Sequence, residues 1–286
     1  MIYVSSACVK EQKIVNVLRK YTQEGIRNIE LSGGTSYYPE IEKDLVRYGS
    51  VEKINYVCHS YFPPPRQDFV VNLAACNDQI YECSIEHYKN CIEMLRRIKC
   101  KILSIHAGFF VEITPKEIGR ELSTDIIYDK AEAVERFCYA YEMLHRLCRE
   151  NDINLYLENN VLNQENYERF GNKNLLMLTD YKTFRELREQ LEFDLLLDLG
   201  HLSVSANTLQ KNYEEQCKSF APFVKWLHLS ENNGVLDEHK PLRQGSRIMR
   251  AYRSFFDKSL PVTLETNGSM EEILNSIALV EADTDE

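Results

Sequence analysis

One repeat constrains this chain more than any other feature. Short apolar runs alternate with helix-forming stretches eight times, and the last six runs each stop on a histidine, aspartate or glutamate. Ile2-Tyr3-Val4 and Asn28-Ile29-Glu30-Leu31 read as the first two strands. Ile54-Asn55-Tyr56-Val57-Cys58 stops on His59, Lys101-Ile102-Leu103-Ser104-Ile105 on His106, and the run 153–157 on Glu158. Phe193-Asp194-Leu195-Leu196-Leu197 stops on Asp198, Val224-Lys225-Trp226-Leu227 on His228, and Pro261-Val262-Thr263-Leu264 on Glu265. Between them, helical spacing predicts helices over 10–24, 82–98, 127–150, 179–190, 208–218, 245–257 and 270–281, with a further short one opened by Tyr37-Tyr38-Pro39. In the first, Ile14, Val15, Val17, Leu18 and Tyr21 fall near helical spacing and Gly25 ends the run.

Alternation of this kind implies parallel strands joined by crossover helices, and eight strands is the number that closes a barrel. The 286 residues, 44% hydrophobic, fit the roughly 250 residues of one such barrel. The expectation is therefore an α/β chain folded as a single (β/α)8 TIM barrel over 1–286. A doubly wound open sheet is the rival, but no Gly-x-Gly-x-x-Gly follows the first strand. Segments after strands are long (60–79, 107–126, 159–178 and 229–244) and segments before strands are short. That asymmetry belongs to a barrel whose site is built at the C-terminal ends of its strands.

Strand ends in a barrel face one mouth, so His59, His106, Glu158, Asp198, His228 and Glu265 are expected to converge. His201 lies three residues past Asp198, within reach of the same ion across a tight turn, and the segment after strand seven adds Asp237-Glu238-His239. The plainer reading of Asp198 is a cap on the next helix. Imidazoles and carboxylates are the ligand set of zinc, manganese, cobalt or magnesium, and gathered in one cleft they are costly unless paired or metallated. Leaving Glu238 aside, the nine candidates exceed the about four to six donors one divalent ion needs. Either several ions bind, or some of these groups hold substrate and move protons. Five of the seven histidines fall in this set; His87 and His145 fall on predicted helices, as surface or interhelix residues.

Net charge of −10 disfavours unaided attraction to nucleic acid or anionic lipid. The nine cysteines are odd in number, scattered and without a Cys-x-x-Cys, most of them among apolar residues, and no secretory leader is expected. Together these predict free thiols in a reducing cytoplasm. No apolar run approaches the ~18 residues of a membrane span.

Seven motifs run in one order from residue 54 to 267: Cys58-His59-Ser60-Tyr61-Phe62, Ser104-Ile105-His106-Ala107-Gly108, Tyr156-Leu157-Glu158-Asn159, Asp198-Leu199-Gly200-His201, Leu227-His228-Leu229, Asp237-Glu238-His239 and Leu264-Glu265-Thr266. Through them the chain resembles the xylose isomerase-like TIM-barrel superfamily, which contains endonuclease IV (AP endonuclease family 2) and many sugar isomerases and epimerases. The resemblance implies one of two centres. In the endonuclease IV pattern three zinc ions are held, one by His59, His106 and Glu158, one by Glu158, Asp198, His228 and Glu265, and one by His201, Asp237 and His239. In the ketose epimerase pattern one manganese or similar ion is held by Glu158, Asp198, His228 and Glu265, with Glu158 and Glu265 doubling as catalytic acid and base and His201 on a substrate oxygen.

Neither template fits throughout. Leu242-Arg243-Gln244-Gly245 stands where endonuclease IV relatives carry Leu-Gly-Glu-Gly, and Gly234 stands where ketose epimerases place an arginine. The segment Tyr61-Phe62-Pro63-Pro64-Pro65-Arg66-Gln67 brings aromatic residues with one cation, a poor DNA footprint. The expected function is isomerisation or epimerisation of a small sugar or sugar phosphate through an enediolate. The expected cofactor is a divalent metal, zinc or manganese rather than magnesium because imidazoles abound, at one to three ions. Tyr61, Phe62, Arg66, Lys240 and Arg243 are the candidate substrate contacts. Zinc-dependent hydrolysis of abasic DNA is the alternative, and a metal-binding barrel without turnover a third reading.

Overall fold

The structure, a computed structural model, describes residues 1–282; positions 283–286 lie outside the described residues. Eight parallel strands pair in chain order and close on themselves. They are β1 (Ile2–Ser5), β2 (Asn28–Leu31), β3 (Asn55–His59), β4 (Ile102–His106), β5 (Asn154–Glu158), β6 (Asp194–Asp198), β7 (Val224–Leu229) and β8 (Val262–Leu264). The predicted (β/α)8 barrel is therefore present, and each strand lies where its apolar run placed it.

The helices are α1 (Ile14–Gln23), α2 (Ile41–Val51), α3 (Asp78–Arg97), α4 (Lys130–Glu150), α5 (Gln164–Arg169), α6 (Tyr181–Arg188), α7 (Leu199–Thr208), α8 (Tyr213–Phe220), α9 (Arg247–Phe255) and α10 (Met270–Glu281). Side-chain caps fix where several begin. Asn77 accepts from the amides of Gln79 and Ile80 and starts α3 earlier than the predicted residue 82, while Asp129 and Ser246 start α4 and α9. Reciprocal capping boxes, Asp180 with Thr183 and Ser269 with Glu272, start α6 and α10.

Two expectations need correction. The sequence places a turn and then one helix, 208–218, after strand six; the chain forms two helices there. α7 begins directly on Asp198, and Gly200 and His201 sit in its first turn. Every residue of α7 except Asn207 is buried, so it has no polar face and shows no helical period in sequence. The segment 159–178 is not irregular throughout, because Asn163 caps the short α5 inside it.

Strand alternation divides the barrel interior into two storeys. Tyr3, Val57, Leu196 and Trp226 form an apolar plug, with Ile102 and Tyr156 against it and the Tyr3 and Trp226 rings 5.1 Å apart. Side chains two residues apart on a strand share a face. One step up from Val57, Tyr156, Leu196 and Trp226 therefore stand His59, Glu158, Asp198 and His228. The plug closes the bottom of the barrel and the polar storey sits directly on it. The larger apolar core lies outside, between strands and helices, where free cysteines such as Cys91, Cys100 and Cys148 pack as small hydrophobes.

Candidate metal centre

All nine predicted donors meet at the C-terminal mouth. They form three groups, and within each the donor atoms lie within 4.8 Å of one another: His59, His106 and Glu158; Glu158, Asp198, His228 and Glu265; and His201, Asp237 and His239. Glu158 is fully buried at the centre. Its Oε2 lies 3.2 Å from His59 Nε2 and 3.6 Å from His106 Nδ1, and its Oε1 lies 3.4 Å from His228 Nδ1 and 3.5 Å from His201 Nδ1. Glu265 Oε2 lies 3.4 Å from the same His228 nitrogen. Asp237 Oδ2 sits 3.2 Å from His201 Nε2 and 2.9 Å from His239 Nε2.

The rings are held from behind. His59 Nδ1 meets Ser104 Oγ at 2.9 Å, His201 Nδ1 the carbonyl of Asn159 at 2.9 Å, and His239 Nδ1 the carbonyl of Glu265 at 3.1 Å. Such outer contacts fix the ring and the nitrogen that is left to bind. Asp198 does both things expected of it. Its Oδ1 caps α7 by accepting from the His201 amide at 2.7 Å, while its Oδ2 is buried with no hydrogen-bond partner.

That orphaned oxygen belongs to a set that tests whether a cation fits. Both oxygens of Glu158, Asp237 Oδ1, His106 Nδ1 and His228 Nδ1 are also buried without a hydrogen-bond partner. Buried lone pairs aimed at one another are costly unless a positive charge joins them. The donor set therefore fits a divalent ion.

The protonation tendencies divide the donors: burial lowers two imidazoles, while neighbouring carboxylates outweigh burial and raise His201, His228 and His239. Burial lowers His59, and pushes His106 down to about 4, so both favour the neutral, ligating form. Burial opposes charge on Glu158 too, but His106, His59 and His228 overcome it and hold the carboxyl well below its usual range. Burial raises Asp198 to about 6. His239 is desolvated, yet its hydrogen bond to Asp237 lifts it to about 9.

A cavity of about 330 Å³ opens over the donors, lined in part by His59, Tyr61, His106, His201, His239 and Glu265. Ile118, from the segment after β4, roofs one side. Of the five candidate substrate contacts only Tyr61 lines it. Phe62 is fully buried in the core: Tyr61 takes a left-handed backbone (φ 66°), which turns its own ring to the mouth and Phe62 beneath it. The Arg66 guanidinium lies 5.0 Å from the centre of the Tyr37 ring, Lys240 pairs with Glu238 at 2.5 Å, and Arg243 is exposed on the segment before α9. His87 is buried on α3 against Phe69 and Tyr88, and His145 stacks on Tyr141 in α4, both away from the centre. A larger groove of about 560 Å³ beside α4 and α6 contains none of the nine donors.

A further carboxylate, Glu30 in β2, stands outside the nine donors expected from sequence. It is 1% exposed and lies 3.0 Å from His228 Nε2. A carboxylate within an apolar run that becomes a barrel strand was itself a signal, since such a charge stays inside only with a partner.

An eight-stranded barrel with carboxylates and imidazoles gathered at its strand ends defines a class of site-bearing barrel. The chain belongs to the xylose isomerase-like TIM barrel family, whose model matches residues 20–279. An uncharacterized protein of Methanocaldococcus jannaschii, MJ1614, is 23% identical over 176 residues, 61% of this chain; the match spans 57% of that relative's length. Among solved structures, a D-tagatose 3-epimerase-like protein superposes with a TM-score of 0.73 at 15% identity, covering 99% of this chain and 97% of its own. Endonuclease IV from Thermus thermophilus superposes at 0.61 and 15% identity, covering 99% and 98%. At these identities the likeness is one of fold.

Proposed function

We propose that the chain is a divalent-metal-dependent isomerase or epimerase of a small sugar or sugar phosphate. One observation carries this reading: the group Glu158, Asp198, His228 and Glu265 opens through Glu265 onto a cavity of about 330 Å³, the size of a small molecule. The net charge of −10 and a mouth lined, among the described residues, by no lysine or arginine weigh against a nucleic-acid backbone as substrate. Glu158, Asp198, His228 and Glu265 would hold a divalent ion, zinc or manganese given the imidazoles, and once bound it would supply the polarisation of a substrate carbonyl that acidifies the neighbouring carbon. Glu265 reaches the cavity and is the candidate to take that proton. Glu158 lies below it under four imidazoles, a place better suited to holding metal than to meeting substrate. His201 and His239 face the cavity and are placed to contact substrate oxygens.

The test is solvent exchange. Candidate ketoses, aldoses and their phosphates are incubated with the metal-loaded enzyme in deuterium oxide and followed by proton NMR. Deuterium entering the carbon next to the carbonyl, abolished in Glu265→Gln, supports the reading; no exchange across the panel refutes it. The two further donor groups favour a second reading, multi-metal hydrolysis of a phosphoester. Release of inorganic phosphate from small esters, or cleavage of abasic DNA, is its marker.

A further inference from the structure

Glu30 is the one charged side chain packed directly behind a donor histidine among the described residues of the centre. Its Oε2 lies 3.0 Å from His228 Nε2 and accepts from Thr263 Oγ1 at 3.0 Å, and Trp226 Nε1 donates to the same Thr263 hydroxyl at 3.0 Å. The other edge of the His228 ring turns Nδ1 toward Glu158 Oε1 and Glu265 Oε2, both 3.4 Å away. A neutral imidazole carries one N–H. When His228 binds metal as a neutral ring, a carboxylate against Nε2 keeps the hydrogen there and leaves the Nδ1 lone pair facing the donor group. Ser104 and two backbone carbonyls hold three of the other four rings, and those partners carry no charge. Glu30 Oε1 has no hydrogen-bond partner, so the carboxyl group is held through Oε2, by His228 and Thr263.

We infer that Glu30 is a positioning residue of the metal centre: it fixes the tautomer and orientation of His228 and raises the basicity of Nδ1, so that Glu158, Asp198, His228 and Glu265 form the tightest of the three donor groups. The inference rests on the reading that these donors hold a divalent ion. The Trp226–Thr263 pair anchors the carboxylate to the plug, so the lower storey of the barrel sets the geometry of the upper one.

The test is titration of chelator-stripped protein with Co²⁺, read by visible absorption, and with Zn²⁺ by competition against a chelating dye. Glu30→Gln keeps the shape and loses the charge, and is expected to weaken the tightest class of site about 10–100-fold and shift the cobalt spectrum. The melting of metal-free protein checks that the variant folds. Glu30→Asp withdraws the carboxylate by one methylene and is expected to fall between Gln and wild type. Thr263→Val leaves the Glu30–His228 contact in place and should change affinity least. Equal affinity and an unchanged spectrum in a folded Glu30→Gln or Glu30→Asp variant would overturn the inference while leaving the metal reading intact. Wild-type protein that binds neither ion would remove both.

Discussion

Gly108 lies two residues beyond His106, where the strap after β3 docks on the strap after β4. A Cβ placed there would sit 2.4 Å from the Ala74 Cβ, 3.1 Å from Met177 Sδ and 3.1 Å from Phe137 Cδ2. Carbon atoms rest about 3.5–4.0 Å apart, so Ala74 would have to retreat by roughly 1 Å. It has no side chain to swing aside, and its amide is fixed by Asn72 Oδ1 at 3.0 Å. Asn72 also donates to the carbonyl of Phe109 at 2.9 Å. Gly108→Ala therefore drives two straps apart beside the His59–His106 pair. Overpacking of this kind costs about 1–3 kcal/mol, and the gain from a stiffer unfolded chain returns about 0.4–1 kcal/mol. The net loss of about 1–2 kcal/mol should lower Tm by about 2–6 °C. Circular dichroism melts in chelator measure it without metal binding intervening. Ala74→Gly removes the opposing methyl, so the double variant should recover much of the loss. An unchanged Tm in Gly108→Ala, or no recovery in the pair, would refute this reading of the glycine.

Three further outcomes follow from named contacts. Glu117 accepts from Ser123 Oγ and Thr114 Oγ1 at 2.6 Å each and from both backbone amides, and these bonds, those from Ser123 first, bring it down to about 2. Because its folded pKa is depressed, the ionised form stabilises the segment fully above its ordinary 4.5 and progressively less as pH falls toward 2. Glu117→Gln should therefore speed proteolytic nicking of 112–125 at pH 7, with the difference shrinking in acid; equal nicking at pH 7 would contradict it. Phe62→Ala should cost about 3–5 kcal/mol in denaturant melts, as a buried core residue does, while metal uptake persists. Glu158 belongs to two donor groups and Asp237 to one, so Glu158→Gln should strip more metal than Asp237→Asn by elemental analysis; the reverse order would contradict the shared role of Glu158.

The strands and the six donors at strand ends are legible in sequence because both follow the apolar runs, and His201, Asp237 and His239 are found only by their nearness to Asp198 and His228 in the chain. An apolar run that stops on His, Asp or Glu announces a strand end, and parallel strands of a barrel bring such ends together whatever their separation in the chain. α7 escapes because burial on all sides erases the helical period that sequence reading depends on. Composition puts Phe62 at the mouth beside Tyr61, since the left-handed backbone that sends the two rings apart leaves no trace in it. Glu30 is marked in sequence only as a carboxylate inside a strand run, a sign that it needs a partner but not of which partner. Its partners, His228 and Thr263, lie about two hundred residues away, and only the closed barrel brings them to it.

The metal content of the chain tests the central claim most directly. Protein purified without chelator, dialysed against zinc or manganese and then against metal-free buffer, is analysed for bound ions per chain. Retention of one to three ions, with a Tm that falls when they are stripped, is the expected result. A chain that retains none, and melts at the same temperature with and without added metal, would contradict the claim that these nine side chains form a metal centre.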